Sequence, residues 1–191
     1  QDEALYAALA RQLRDDPPAA VLTVARGSSD HAAQYFGYLV MARLGRLVTS
    51  LPMSLVTLVP ARLQRQGVLA VALSQSGRSP DLVAPMAYFS EGGARTVALV
   101  NEVDSPLAAA ARWVLPLHAG PEHSVAATKS FIAQMVAGAR LVAAWQDDPA
   151  LRAALAQARA LYLPDPEKAT AGIHVMKVLR ELGLADELRE R

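Results

Sequence analysis

Cysteine is absent from the 191 residues, which excludes disulfides, thiolate metal sites and a cysteine nucleophile and suits a cytoplasmic protein. Net charge is almost absent too, since 19 Lys and Arg stand against 18 Asp and Glu. A balance of +1 makes no electrostatic case for a nucleic-acid or anionic-membrane partner, so any anion must be held locally. No apolar run approaches the ~20 residues of a membrane span. The stretch Gln1-Asp2-Glu3-Ala4 lacks the basic start and apolar core expected of a signal peptide. Four histidines are scattered without close pairing, which gives no metal signature. The spaced three-glycine pattern of a dinucleotide site is also missing. Neither cofactor nor metal is expected.

Apolar residues make up 52% of the chain and charged residues 19%, the composition of a globular domain with one good core. After an opening helix over Glu3 to Arg14 and the turn residues Asp15 to Pro18, strand and helix patterns alternate. Strands are expected at Ala20 to Ala25, near Leu47, from Val68, at Thr96 to Val100 and at Trp113 to Leu117. Helices fall between them, over His31 to Leu44, Met53 to Val59, Asp81 to Glu91 and from Pro106. Two more follow, over Ser124 to Trp145 and Pro149 to Leu161. Such alternation implies an α/β fold with a five-stranded parallel sheet and helices on both faces. Trp113 and Trp145 read as core or interface aromatics.

The chain changes character at Pro164-Asp165-Pro166, beyond which charge rises. The expected division is a domain over 1–163 and a tail over 164–191. Ile173, Met176, Leu179, Leu182 and Leu188 give the tail an apolar helical stripe, interrupted by Gly183, that suits docking on the sheet or on a second subunit.

Two strand-to-helix junctions carry the chemistry. The apolar run Val68 to Leu73 stops at Ser74-Gln75-Ser76-Gly77-Arg78-Ser79, and Pro80 then opens a helix. The run Ala20 to Ala25 ends in Arg26-Gly27-Ser28-Ser29-Asp30 before the next helix. Free N–H groups and the positive end of a helix dipole favour a phosphate at such a place without any lysine. Serine and glycine are also ordinary cap and turn residues, so either junction alone is weak evidence.

The order and spacing of Arg26-Gly27-Ser28-Ser29-Asp30-His31-Ala32-Ala33, Leu73-Ser74-Gln75-Ser76-Gly77, Ala119-Gly120-Pro121-Glu122 and Val125-Ala126-Ala127-Thr128-Lys129 resemble the sugar isomerase (SIS) domain family over about Ala20 to Leu155. The likeness is to the first of the two SIS domains in isomerising glucosamine 6-phosphate synthases and SIS-type glucosamine 6-phosphate deaminases. It implies a three-layer α/β/α, flavodoxin-like domain that binds a phosphorylated sugar. By the same resemblance the phosphate contacts fall to Ser29, Ser74, Gln75, Ser76 and Ser79. Sugar contacts fall to Gly27 and, through its backbone, to Val125. Ser79 stands where threonine is usual and keeps the hydroxyl. Arg78 replaces a residue that is commonly acidic, which should favour an anion unless it faces solvent. In two-domain relatives the catalytic glutamate, histidine and lysine belong to the second SIS domain or beyond, and the tail from about Asp165 does not resemble the start of one. Its Ala169-Thr170-Ala171-Gly172-Ile173-His174 and Leu182-Gly183-Leu184-Ala185-Asp186 faintly resemble the end of periplasmic molybdate-type binding proteins.

Isomerisation, amination or deamination of a hexose 6-phosphate needs a base and a ring-opening acid. Glu122 and His123 are the adjacent acid and imidazole in a loop expected to face the crevice, and they are the catalytic candidates. The competing reading makes Glu122 a cap for the helix beginning near Ser124 and leaves His123 solvated. Lys129 reads as structural, His31 as either a sugar contact or a filler of its helix's first turn, and His118 and His174 as ordinary polar residues. The partners expected are a sugar phosphate and a second copy of the chain. Four readings stay open: an enzyme acting on an amino-sugar or ketose 6-phosphate, a non-catalytic sensor using the same pocket, a single-domain isomerase acting on a heptose or pentose phosphate, and an inactive remnant whose tail prevents assembly.

Overall fold

The computed structural model describes residues 2–59, 61–122 and 127–157. Gln1–Leu155 forms one unit, and the fold below is that of this unit. The expectations for 164–191, including the apolar stripe, lie outside the described residues, as does the end of the helix expected to reach Leu161.

Five strands, β1 (Ala20–Val24), β2 (Val48–Ser50), β3 (Val68–Ser74), β4 (Arg95–Val100) and β5 (Trp113–Pro116), form one sheet in the order β2-β1-β3-β4-β5. Every pairing is parallel. Among the described residues, seven helices accompany them: α1 (Glu3–Asp15), α2 (Ser28–Leu44), α3 (Ser54–Thr57), α4 (Pro80–Glu91), α5 (Pro106–Ala110), α6 (Thr128–Gln146) and α7 (Pro149–Gln157).

The central strands are apolar without interruption because both faces are covered. All seven positions of β3 and all six of β4 are buried, as expected of strands packed between two helical layers. Alternation then sorts their side chains. Leu69, Val71 and Leu73 join Val97 and Leu99 in one core with Tyr6 and Leu9 of α1, Phe36 and Val40 of α2, and Leu141 and Trp145 of α6. Ala70, Ala72 and Ala98 face the other way and meet Leu82, Met86 and Phe89 of α4 and Leu107 of α5. The alanines on that face leave room for the larger side chains of α4, which conserves volume in the core.

Most boundaries fall within two residues of the sequence reading, and two helix starts differ by three or more. Helix α2 begins at Ser28, not near His31, because Gly27 adopts φ 57° and ψ −135°. That conformation, open to glycine, turns the chain into the helix three residues early. Helix α6 begins at Thr128, after the expected Ser124, and residues 123–126 are outside the described set.

Candidate functional site

In the order 2-1-3-4-5 the chain leaves β1 for one side of the sheet and returns at β3 on the other. The crevice beyond the carboxyl ends of β1 and β3 is therefore the topological switch point, where open α/β sheets bind ligands. Both serine-rich junctions sit there. Val24 pairs with Ala72, so Ala25 to Ser29 and Gln75 to Ser79 leave neighbouring strands at the same edge. A direct bond joins them, since Arg26 donates to and forms an ion pair with Asp81 in the first turn of α4.

Neither helix start is closed by its own side chains. Gly27 has none to offer, and Ser79, the N-cap of α4, makes no side-chain cap bond, with Pro80 at the first helical position. First-turn N–H groups that lack a side-chain cap retain the capacity to bind an anion.

The serine hydroxyls are oriented by N–H donors. Gly77 N donates to Ser74 Oγ at 3.0 Å and Arg78 N to Ser76 Oγ at 3.4 Å. Gln134 Nε2, from α6, donates to Ser29 Oγ at 3.0 Å. A hydroxyl whose oxygen accepts one of these bonds keeps its own O–H to give away. Gly77 makes the tight turn possible. Its φ is 61°, and a Cβ there would lie 2.2 Å from Ser105 Oγ. Its carbonyl accepts from Leu107 N at 3.0 Å, and Gln75 O accepts from Glu102 N at 3.3 Å. These bonds fasten the loop after β3 to the loop after β4.

The catalytic candidates divide. Glu122 Oε2 accepts from both the N–H and the Oγ of Ser130 at 3.1 Å, and so ties the loop before α6 to its first turn. Lys129 Nζ donates to the Pro121 carbonyl at 2.6 Å, which holds the same loop from the other side. His123 and Val125 are outside the described residues. His31 and Arg78 are exposed. His118, at φ 52°, places Nε2 2.6 Å from Asp2 Oδ2.

The sequence reading passed over three residues. Asn101, just past β4, accepts from Ala119 N and donates to Gly120 O, both at 2.9 Å, and so fixes the loop that leads to Glu122. Ser105 packs against Gly77. Gln134 was legible only as a lone amide in the apolar text Phe131-Ile132-Ala133-Gln134-Met135-Val136. Among the described residues, no three His, Asp or Glu side chains are grouped to hold a metal, and no helix is long and apolar enough to cross a membrane.

Comparison with known proteins places this architecture. The SIS domain model matches residues 18–144, from the start of β1 through most of α6, and the chain belongs to that family. A glutamine–fructose-6-phosphate aminotransferase (isomerizing) of Symbiobacterium thermophilum is 36% identical over 166 residues, covering 84% of this chain and 26% of the relative. The enzyme of the same name from Sulfolobus acidocaldarius is 37% identical over 116 residues, 61% of this chain and 19% of its own. A solved structure from Silicibacter pomeroyi, provisionally named a phosphosugar isomerase, superposes with a TM-score of 0.77 at 46% identity, covering 80% of this chain and 47% of that one. The chain thus spans about a fifth to a quarter of the aminotransferases it matches and about half of that structure.

Proposed function

We propose that this chain binds a sugar phosphate, an amino-sugar or ketose 6-phosphate, in the crevice between β1 and β3. The observation that carries the reading is the polarity of the crevice. Ser29, Ser74 and Ser76 each accept one N–H bond, which leaves three O–H donors beside two helix starts without side-chain caps. Donors without matching acceptors suit an oxyanion. Ser79 and the amide of Gln75 complete the phosphate site, with Gly27 and Val125 on the sugar side. The family and the names of its relatives supply the sugar. A cytoplasmic location and a homo-oligomer belong to the same reading.

The chemistry proposed is isomerisation, amination or deamination at the first two carbons of the hexose. Binding positions the sugar, and proton transfer asks for a base and an acid at those carbons. Glu122 and His123 are the candidates within this chain. A second reading, binding without turnover, draws on the engagement of Glu122 Oε2 by Ser130. Isothermal titration with glucosamine 6-phosphate, fructose 6-phosphate and inorganic phosphate, followed by product analysis of the same mixtures, tests both. Selective binding of a sugar phosphate with turnover establishes an enzyme, and binding without turnover establishes the second reading. Absence of binding overturns the assignment of the crevice.

A further inference from the structure

We infer that Gln134 is a positioning residue that sets which way the Ser29 hydroxyl points, and through it the grip on the phosphate; this rests on the sugar-phosphate reading of the crevice. Gln134 is 1% exposed and lies on α6, the helix that packs on α2. Its Nε2 donates to Ser29 Oγ across 105 residues of sequence, while its Oε1 is buried without a hydrogen-bond partner among the described residues. A buried carbonyl oxygen left unpaired carries a cost, so a structure that retains one calls for a reason.

The reason lies in the alternatives open to a carboxamide. With Nε2 toward Ser29, the serine oxygen acts as acceptor and its proton is turned away from α6, toward the crevice. With Oε1 toward Ser29, the hydroxyl would donate inward, and the crevice would meet a lone pair in place of a proton. A phosphate oxygen is stabilised by the first arrangement and repelled by the second. Either arrangement leaves the far end of the amide unpaired, so it is the bond from Nε2 to Ser29 Oγ that makes the serine oxygen the acceptor. Ser74 and Ser76 receive the same service from the backbone N–H groups of their own loop. Ser29 is served by a side chain from a distant helix, and its polarity can be changed by substitution at that remote position.

A double-mutant cycle with fructose 6-phosphate as the probe tests this. Gln134→Met keeps the length of the side chain and removes the donor, and it should weaken binding about fivefold to tenfold, in the range of one hydrogen bond. Placed on Ser29→Ala, the same substitution should change affinity less than about twofold, because an effect that acts through the hydroxyl vanishes with it. Gln134→Glu, an acceptor where a donor stood, should weaken binding more than Gln134→Met does. Equal losses from Gln134→Met with and without the Ser29 hydroxyl would overturn the inference and mark Gln134 as a packing residue. Should Gln134→Met melt out, the side-chain amide protons of Gln134 give the answer by nuclear magnetic resonance in the unaltered chain. Their signals should move on adding fructose 6-phosphate and again in Ser29→Ala, and signals indifferent to both would overturn it. Ser76→Ala separates the two levels, since the Ser76 hydroxyl is held by Arg78 N and that of Ser29 by Gln134. If Ser76→Ala weakens binding and the Gln134 cycle is additive, only the positioning role fails. If the unaltered chain binds no fructose 6-phosphate, the sugar-phosphate reading itself fails.

Discussion

Helices α4 and α5 both open with serine followed by proline, and both serines are extended N-caps, yet they do different work. Ser105 turns its hydroxyl onto its own helix and accepts from Ala108 N at 3.4 Å. Ser79 makes no such bond. The start of α5 is closed and that of α4 is open, although their local text reads alike. Helix α6 is closed by Glu122, and α7 by Asp148, which accepts from Leu151 N at 2.9 Å. Helix α2 has only Gly27 at its cap. Helices α1 and α3 also lack a side-chain cap bond, so an open start alone does not mark a site; α2 and α4 are set apart because their open starts flank the switch point. A cap that engages its own helix is architecture, and a hydroxyl withheld from that task is available to a ligand.

The largest expected effect comes where the two kinds of junction touch. Gly77→Ala would place a Cβ against Ser105 at a positive φ, and the strain and overpacking should cost ~3 kcal/mol or more of stability in a urea melt. Near-normal stability would mean that the loops after β3 and β4 are not locked together. Next come the paired serines. Ser79→Ala should weaken sugar-phosphate binding by ~1 to 3 kcal/mol while barely moving the melting temperature. Ser105→Ala should do the reverse, costing ~1 kcal/mol of stability with affinity unchanged. If both variants lose stability alone, the distinction between open and closed starts is wrong. Glu122→Ala should cost ~1 kcal/mol through the lost cap. Should product analysis find turnover in the unaltered chain, a collapse of turnover in this variant beyond that small loss of stability would assign Glu122 to catalysis as well.

The smallest effect at neutral pH is a control far from both junctions. Burial pushes the Tyr6 phenol up to about 12, with Arg140, whose guanidinium lies 4.5 Å from the ring centre, pulling the other way. Its hydroxyl is buried without a hydrogen-bond partner among the described residues, so Tyr6→Phe should leave stability near neutral pH unchanged or slightly raised. The folded chain holds this proton more tightly than the unfolded one. That contribution is therefore complete below pH ~10 and is lost as the pH rises to ~12, by ~2 to 3 kcal/mol in all. Alkaline melts of Tyr6→Phe should lack that part of the decline, and identical alkaline profiles would show that Tyr6 does not contribute it.

The parallel sheet and its elements were legible because long apolar runs and turn clusters are local signals, and β3 and α4 fall within a residue of the expected bounds. The start of α2 was missed because it depends on the backbone angles of Gly27, which composition does not reveal. The serine loops were legible as motifs, but their orientation was not. The donors that aim them include Gln134, a distant side chain, and the bond from Arg26 to Asp81 likewise joins residues far apart in the text. Glu122 was legible as both cap and acid, and the structure shows its bond to α6.

The pairing of β1 with β3 also governs when the crevice comes into being. Its first contact joins Ala20 to Val68, about fifty residues apart, and parallel pairs of such separation are slow to close because chain entropy is lost before contacts return it. Neither serine loop can form its half of the crevice alone, and the Ser29 hydroxyl waits longer still, for α6. During synthesis, ligand-binding competence should therefore arrive in one late step, after the ribosome has released the chain through Gln134, and nascent chains truncated before that residue should not be retained on an immobilised sugar phosphate.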